Sequence, residues 1–101
     1  MTQSVIDDTT HEQFAVTMEG ATARLAYELD DGRLLLLHTE VPEAFRGHGV
    51  GGRLVEAALA KARSDNLTIV PWCPYVRQWL KERPEQIADV SVDYTIPPPG
   101  K

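Results

Sequence analysis

The sequence predicts an α+β fold, an antiparallel meander followed by a β-α-β-α unit. Three stretches between Gln13 and Val41 alternate apolar and polar residues and are joined by short turn signals. A helix-period stripe then runs from Gly49 to about Ser64, before the short apolar run Leu67-Thr68-Ile69-Val70. Between strand and helix, four of the seven glycines fall within Gly47–Gly52. Such a junction lets main-chain N–H groups come close to a ligand, and a helix start favours anions.

Taken in order, Met1 to Glu12 is polar and acidic and is expected as a flexible lead-in. Gln13 to Met18 puts Phe14, Val16 and Met18 on one face, and Glu19-Gly20 is a turn. Ala21 to Asp30 alternates again through Ala23, Leu25, Tyr27 and Leu29. Asp31-Gly32 is a hairpin signal, because Asp-Gly tolerates positive φ. In the third strand, Arg33–Val41, strict alternation sends Leu34, Leu36, His38 and Glu40 one way and Leu35, Leu37, Thr39 and Val41 the other. Pro42 removes a backbone donor and ends regular pairing.

The helix stripe is Val50, Leu54, Ala58 and Ala62, widened by Val55 and Leu59. Lys61 and Arg63 suit the dipole of its last turn, and Ser64-Asp65-Asn66 stops it. Because a helix precedes it, the strand Leu67–Val70 is expected to lie parallel to Arg33–Val41. Pro74 opens a second helix with Val76, Trp79 and Leu80 on its buried face, and Pro84 to Ala88 adds a further turn. Residues 91–101, ending in Pro97-Pro98-Pro99-Gly100-Lys101, are expected as a flexible tail. The domain is placed at residues 13–90.

At 101 residues there is room for one small domain. A net charge of −5 argues against non-specific nucleic-acid binding. Locally the balance reverses: Ala44 to Arg63 holds Arg46, Arg53, Lys61 and Arg63 against Glu56 alone. Cys73 is the single cysteine, and no Cys or His cluster has metal-ligand spacing, so no metal is expected. No apolar run approaches a membrane span, and a cytoplasmic setting is expected.

Three phosphate-loop patterns compete for the glycines. Gly47, Gly49 and Gly52 meet G-x-G-x-x-G literally, but an antiparallel meander precedes them and no acid ends the next strand. A P-loop needs Lys and Ser or Thr after Gly52, where the chain has Arg53-Leu54. The third pattern, Arg-x-x-Gly-x-Gly, is met by Arg46, Gly49 and Gly51. With His38-Thr39-Glu40-Val41-Pro42 before it and Pro71-x-Cys73-x-Tyr75-Val76 and Trp79 after it, it resembles the small stand-alone proteins of the GNAT N-acetyltransferase superfamily, over roughly residues 13 to 88.

That resemblance implies a compact GNAT-like fold with a cleft splayed between the strand ending at Val41 and the strand Leu67–Val70. It implies acetyl-CoA or coenzyme A as cofactor, with the pantetheine arm on the main chain near Thr39 and Val41. The pyrophosphate is implied on the loop and helix start: Arg46, Gly47, His48, Gly49, Val50, Gly51, Gly52 and Arg53. The helices that shape the superfamily's acceptor site are expected to be missing, because the meander begins near Gln13.

Acetyl transfer from a thioester to an amine needs a proton acceptor, an oxyanion donor and an acid for the thiolate. Glu40, at the strand end, is the first candidate base, and otherwise a solvent-exposed acid. His38, two residues away, is placed to relay a proton or orient Glu40, and otherwise to make a sheet hydrogen bond. Tyr75 sits where the superfamily often places the thiolate's acid; packing beside Trp79 is the alternative. Cys73 precedes a helix start and is either a reactive thiol or a small buried residue. The leading expectation is an acetyl-CoA-dependent N-acetyltransferase acting on an unidentified amine. A non-catalytic acyl-CoA-binding module and a protein-interaction domain are the alternatives. An open edge strand at residues 13–18 makes a weak homodimer an expectation as well.

Overall fold

A computed structural model describes residues 4–98. Its elements are β1 (Ile6–Asp8), β2 (Gln13–Met18), β3 (Ala21–Asp30), β4 (Arg33–Glu40), α1 (Val50–Asp65), β5 (Thr68–Pro71) and α2 (Pro74–Lys81). Single 3₁₀ turns at Glu43–Phe45 and Pro84–Ile87 fall between and after them. The strands form one five-stranded sheet in the order β1-β2-β3-β4-β5, antiparallel except for the parallel β4–β5 pair. This is the α+β architecture expected, a meander followed by a β-α-β-α unit.

Both predicted tight turns form by the chemistry that predicts them. Glu19-Gly20 and Asp31-Gly32 each place two successive residues at positive φ, as a right-twisted hairpin requires. Helix α1 begins one residue later than expected, with Gly49 as its N-cap, and ends on Asn66 in the left-handed conformation.

Both helices pack on one face of the sheet. Phe14, Val16, Ala23, Leu25, Tyr27, Leu34 and Leu36 meet Leu54, Val55, Ala58 and Leu59 of α1, with Val76, Trp79 and Leu80 of α2, in a single core. Among the described residues no helix covers the other face. Its β1–β3 end forms an open groove of about 680 Å³, lined by Gln13, Ala15, Thr17, Thr22 and Arg24.

The structure corrects two boundaries. Residues 6–8, expected within a flexible lead-in, pair with Gln13–Ala15 as an edge strand. Asp7 holds that strand down: one carboxylate oxygen accepts from the Tyr27 hydroxyl, and Lys61 Nζ donates to the other at 2.7 Å. Residues 91–101 were expected to be flexible, yet Ser91 O accepts from Ile69 N and Asp93 N donates to Ile69 O, both at 2.8 Å. Trp72 Nε1 then donates to Ile96 O at 2.8 Å, which draws the chain across the sheet beside Leu35. Backbone pairing, rather than composition, decides both segments. The first three residues of the lead-in and the last three of the tail lie outside the described residues.

A third correction concerns the faces of β4. Ala26 pairs with His38 but Tyr27 pairs with Leu36, so Leu37 is an extra residue on β4, a β-bulge. A one-residue slip exchanges the faces of a strand. His38 and Glu40 therefore lie opposite Leu34 and Leu36 rather than alongside them, and Thr39, paired with Leu25, takes over the core face.

Candidate active site

The bulge also opens the sheet. Arg33 to Leu36 pair with Thr68 to Pro71, and Leu36 O closes that ladder by accepting from both Trp72 N and Cys73 N at 3.0 Å. Beyond it, Leu37–Glu40 has a partner strand on the β3 side only. The resulting cleft has a volume of about 380 Å³ and is lined by Thr39, Val41, Phe45, Arg46, Gly47, Gly49, Val50, Gly51 and Tyr75. Val41 and Tyr75, 42% and 46% exposed, give it an apolar mouth.

One wall is the loop into α1. Phe45, Arg46 and His48 donate their amides to Pro42, Glu43 and Phe45, so the loop holds itself in shape. Gly47 and Gly49 have φ of +82° and +66°, and a Cβ built on either would meet nothing within 4 Å. The backbone conformation calls for glycine there, and the space beside it is open. No side chain caps α1, and Arg53 N is the amide that reaches back to Gly49 O. The earlier amides of the turn have no acceptor within the helix, and Gly49, Val50 and Gly51 line the cleft, which suits an anion.

Gly51 and Gly52 are glycine for a different reason. A Cβ on Gly51 would lie 2.5 Å from Tyr75 Oη, and one on Gly52 would lie 3.0 Å from Trp79 Nε1. These two glycines admit the aromatic side chains of α2, which sequence reasoning did not foresee. The i, i+4 spacing of Tyr75 and Trp79 along a helix was the available signal.

Of the residues expected to bind cofactor, Thr39, Val41, Arg46, Gly47, Gly49, Val50 and Gly51 line the cleft; His48, Gly52 and Arg53 do not. Arg46 is highly exposed and pairs with Glu43 at 3.5 Å.

The catalytic candidates divide between the two sides of β4. Cys73 is buried behind the cleft wall, its Sγ 3.3 Å from Thr39 Oγ1. Tyr75 stands at the mouth, and burial raises its hydroxyl pKa above the ordinary tyrosine value. His38 and Glu40 lie on the bare sheet face, His38 Nε2 2.9 Å from Glu40 Oε2. The His38 hydrogen bond holds the Glu40 carboxyl below its usual range, aided by the charges of His38 and of Arg24, whose Nη1 lies 3.6 Å from Glu40 Oε1. Among the described residues no group of three or more His, Cys, Asp or Glu is placed to hold a metal ion.

A meander broken by a bulge, a cleft behind it and a glycine-lined helix start make up a compact α+β domain. A family model described as GCN5-related N-acetyl-transferase matches residues 13–90, and the chain belongs to that family. It is 38% identical over 80 residues to Protein NATD1 of Mus musculus, covering 76% of this chain and 73% of the relative. The Homo sapiens protein of that name is also 38% identical over 80 residues, with 76% and 71% covered. The Danio rerio protein is 34% identical over the same length, with 76% and 73% covered.

Proposed function

We propose that this protein is an acetyl-CoA-dependent N-acetyltransferase that transfers an acetyl group to a primary amine in a cytoplasmic, reducing setting. The observation that carries this reading is the continuity of the bulge-opened cleft with the uncapped, glycine-lined start of α1. The loop and first-turn amides of Gly47, Gly49, Val50 and Gly51 suit the pyrophosphate, with Arg46 beside them. The one-sided main chain from Thr39 to Val41 suits an amide-bearing pantetheine arm. Tyr75, at the cleft mouth, suits the leaving thiolate as an acid.

A second reading, a non-catalytic acyl-CoA-binding module, draws support from the bare sheet face where an enclosed acceptor pocket would need covering elements. Calorimetric titration of acetyl-CoA into wild type and Gly49→Trp tests the cofactor. The expected result is binding that Gly49→Trp abolishes with its circular dichroism unchanged. No binding to wild type would end both readings and favour an interaction domain. Turnover with a panel of primary amines, lost in Glu40→Gln, separates the transferase from the binding module.

A further inference from the structure

Past residue 90, where the family match ends, the chain turns back onto the sheet. Residues 91–97 run along the outer edge of β5 and then cross beside Leu35. Ser91 O accepts from Ile69 N and Asp93 N donates to Ile69 O, both at 2.8 Å, and Thr68 Oγ1 donates to Ser91 Oγ at 3.2 Å. Asp93 Oδ1 accepts from Thr95 N at 2.8 Å and from Thr95 Oγ1 at 2.6 Å, a side-chain turn that redirects the chain. Lys81 of α2 sets its Nζ 5.2 Å from the centre of the Tyr94 ring. Ile96 O takes the Trp72 indole N–H at 2.8 Å, and Ile96 and Pro97 line a pocket of about 290 Å³ together with Trp72 and Leu35.

These contacts straddle the seam between β4 and β5. The seam runs from Arg33–Thr68 to Leu36–Pro71 and ends where Leu36 O accepts from Trp72 N and Cys73 N. The strap grips β5 from outside at Ile69 and meets β4 at Leu35, with Trp72, the residue at the end of the seam, tied to it. Past that point the cleft opens. Three residues after Trp72, Tyr75 lines it, with its hydroxyl against Gly51. Without the strap, β5 is a four-residue edge strand, and short edge elements open at low cost. A clamp on its outer side therefore governs how far the corner that carries Tyr75 moves away from β4.

We propose that residues 91–97 are a latch for the cleft. With the strap seated, β5 and the start of α2 hold the opening that takes the cofactor; with the strap released, that opening is lost. The proposal rests on the cofactor reading of the cleft and adds a control to it. Trp72 does not line the cleft, so it acts as a positioning residue through the seam. Strap and cleft are separate places, and the coupling between them works both ways. If released molecules do not bind, the apparent Kd rises by the inverse of the latched fraction. Bound cofactor must tighten the strap by the same factor.

The test reads both directions. The Ile69 amide, which donates to Ser91 O, reports the strap by hydrogen exchange in NMR spectra, and calorimetric titration of coenzyme A reports the cleft. Trp72→Phe keeps an aromatic ring and removes the donor to Ile96. Asp93→Ala removes the turn at an exposed carboxylate and leaves Trp72 and the cleft in place. Both are expected to speed Ile69 exchange and weaken coenzyme A binding, by about tenfold where one molecule in ten stays latched. Coenzyme A should slow Ile69 exchange in wild type. Asp7→Ala, which loosens the opposite edge of the sheet, is the control and should bind coenzyme A within about twofold of wild type. Wild-type affinity in both strap variants, or Ile69 exchange that neither variant speeds, overturns the latch and leaves the cofactor reading standing. So does wild-type Ile69 exchange unmoved by bound coenzyme A, or an equal loss of affinity in Asp7→Ala, which would trace to general stability. Wild type that binds no coenzyme A removes the cofactor reading, and the latch with it.

Discussion

At Gly52 hydrogen is the side chain for which α2 leaves room. Trp79 is 6% exposed and Arg83 stacks on it at 4.4 Å, so the indole cannot easily yield to a Cβ 3.0 Å away. Gly52→Ala is therefore expected to lose about 1 kcal/mol, the overpacking cost exceeding the helix propensity gained. Gly51→Ala differs. Its Cβ meets the far end of the half-exposed Tyr75, which can swing outward. Stability should stay within about 0.5 kcal/mol of wild type while Tyr75 leaves the cleft mouth. Urea denaturation and Tyr75 fluorescence or ring NMR check the pair, and equal stability losses at both positions would contradict the distinction. Glu40 supplies a second residue-scale prediction. Its folded pKa is lowered, first by the His38 hydrogen bond, so the stability it adds is present above the ordinary carboxylate pKa and is lost as pH falls through the lower folded value. His38→Gln should move the Glu40 titration, followed by carboxyl ¹³C NMR, up toward the ordinary range. An unmoved midpoint would mean that Arg24 or the backbone sets it.

Among the elements, β1 depends on contacts far away in sequence. Asp7 reaches Tyr27 and the 15%-exposed Lys61, which also lies over the Tyr27 ring at 5.7 Å. Asp7→Ala should cost about 1–3 kcal/mol, because the partners it leaves are partly buried. Burial and then the Asp7 hydrogen bond raise the Tyr27 pKa well above the usual tyrosine range. The same variant should therefore bring Tyr27 ionisation down in an ultraviolet titration and speed amide exchange across Ile6–Asp8. Unchanged exchange there would show that the ladder alone holds β1. This dependence explains what the sequence conceals. Ile6-Asp7-Asp8 carries no alternation, and its anchor lies 54 positions away at Lys61. The two hairpins were legible because Glu19-Gly20 and Asp31-Gly32 encode their geometry locally. The cleft loop was legible for the same reason. The bulge was not: the run Leu34 to Leu37 is leucine throughout, so a one-residue slip leaves no trace in its pattern. The true faces of His38 and Glu40 follow from that slip, and no local signal carried it.

For the whole molecule, both helices cover one face of the sheet, and the cleft lies between the end of β4, the loop into α1 and Tyr75. A domain of this size buries a modest core, so a ligand that seats on β4, the loop and α1 together should tie those elements into one unit. Coenzyme A at about a hundredfold excess over its Kd should add roughly 2.7 kcal/mol, which for a chain of 60–100 residues is a rise in Tm of about 10–20 °C. The rise should be nearly absent in Gly49→Trp, which fills the open space beside the α1 N-cap. It should persist in His38→Gln and Arg24→Gln, whose side chains lie on the other face of the sheet. Fluorimetric melting curves of the four proteins with and without coenzyme A make the comparison. Equal shifts in wild type and Gly49→Trp would place the cofactor away from the glycine loop. A loss of the shift in His38→Gln would mean that the cofactor also reaches the face of β4 that carries His38.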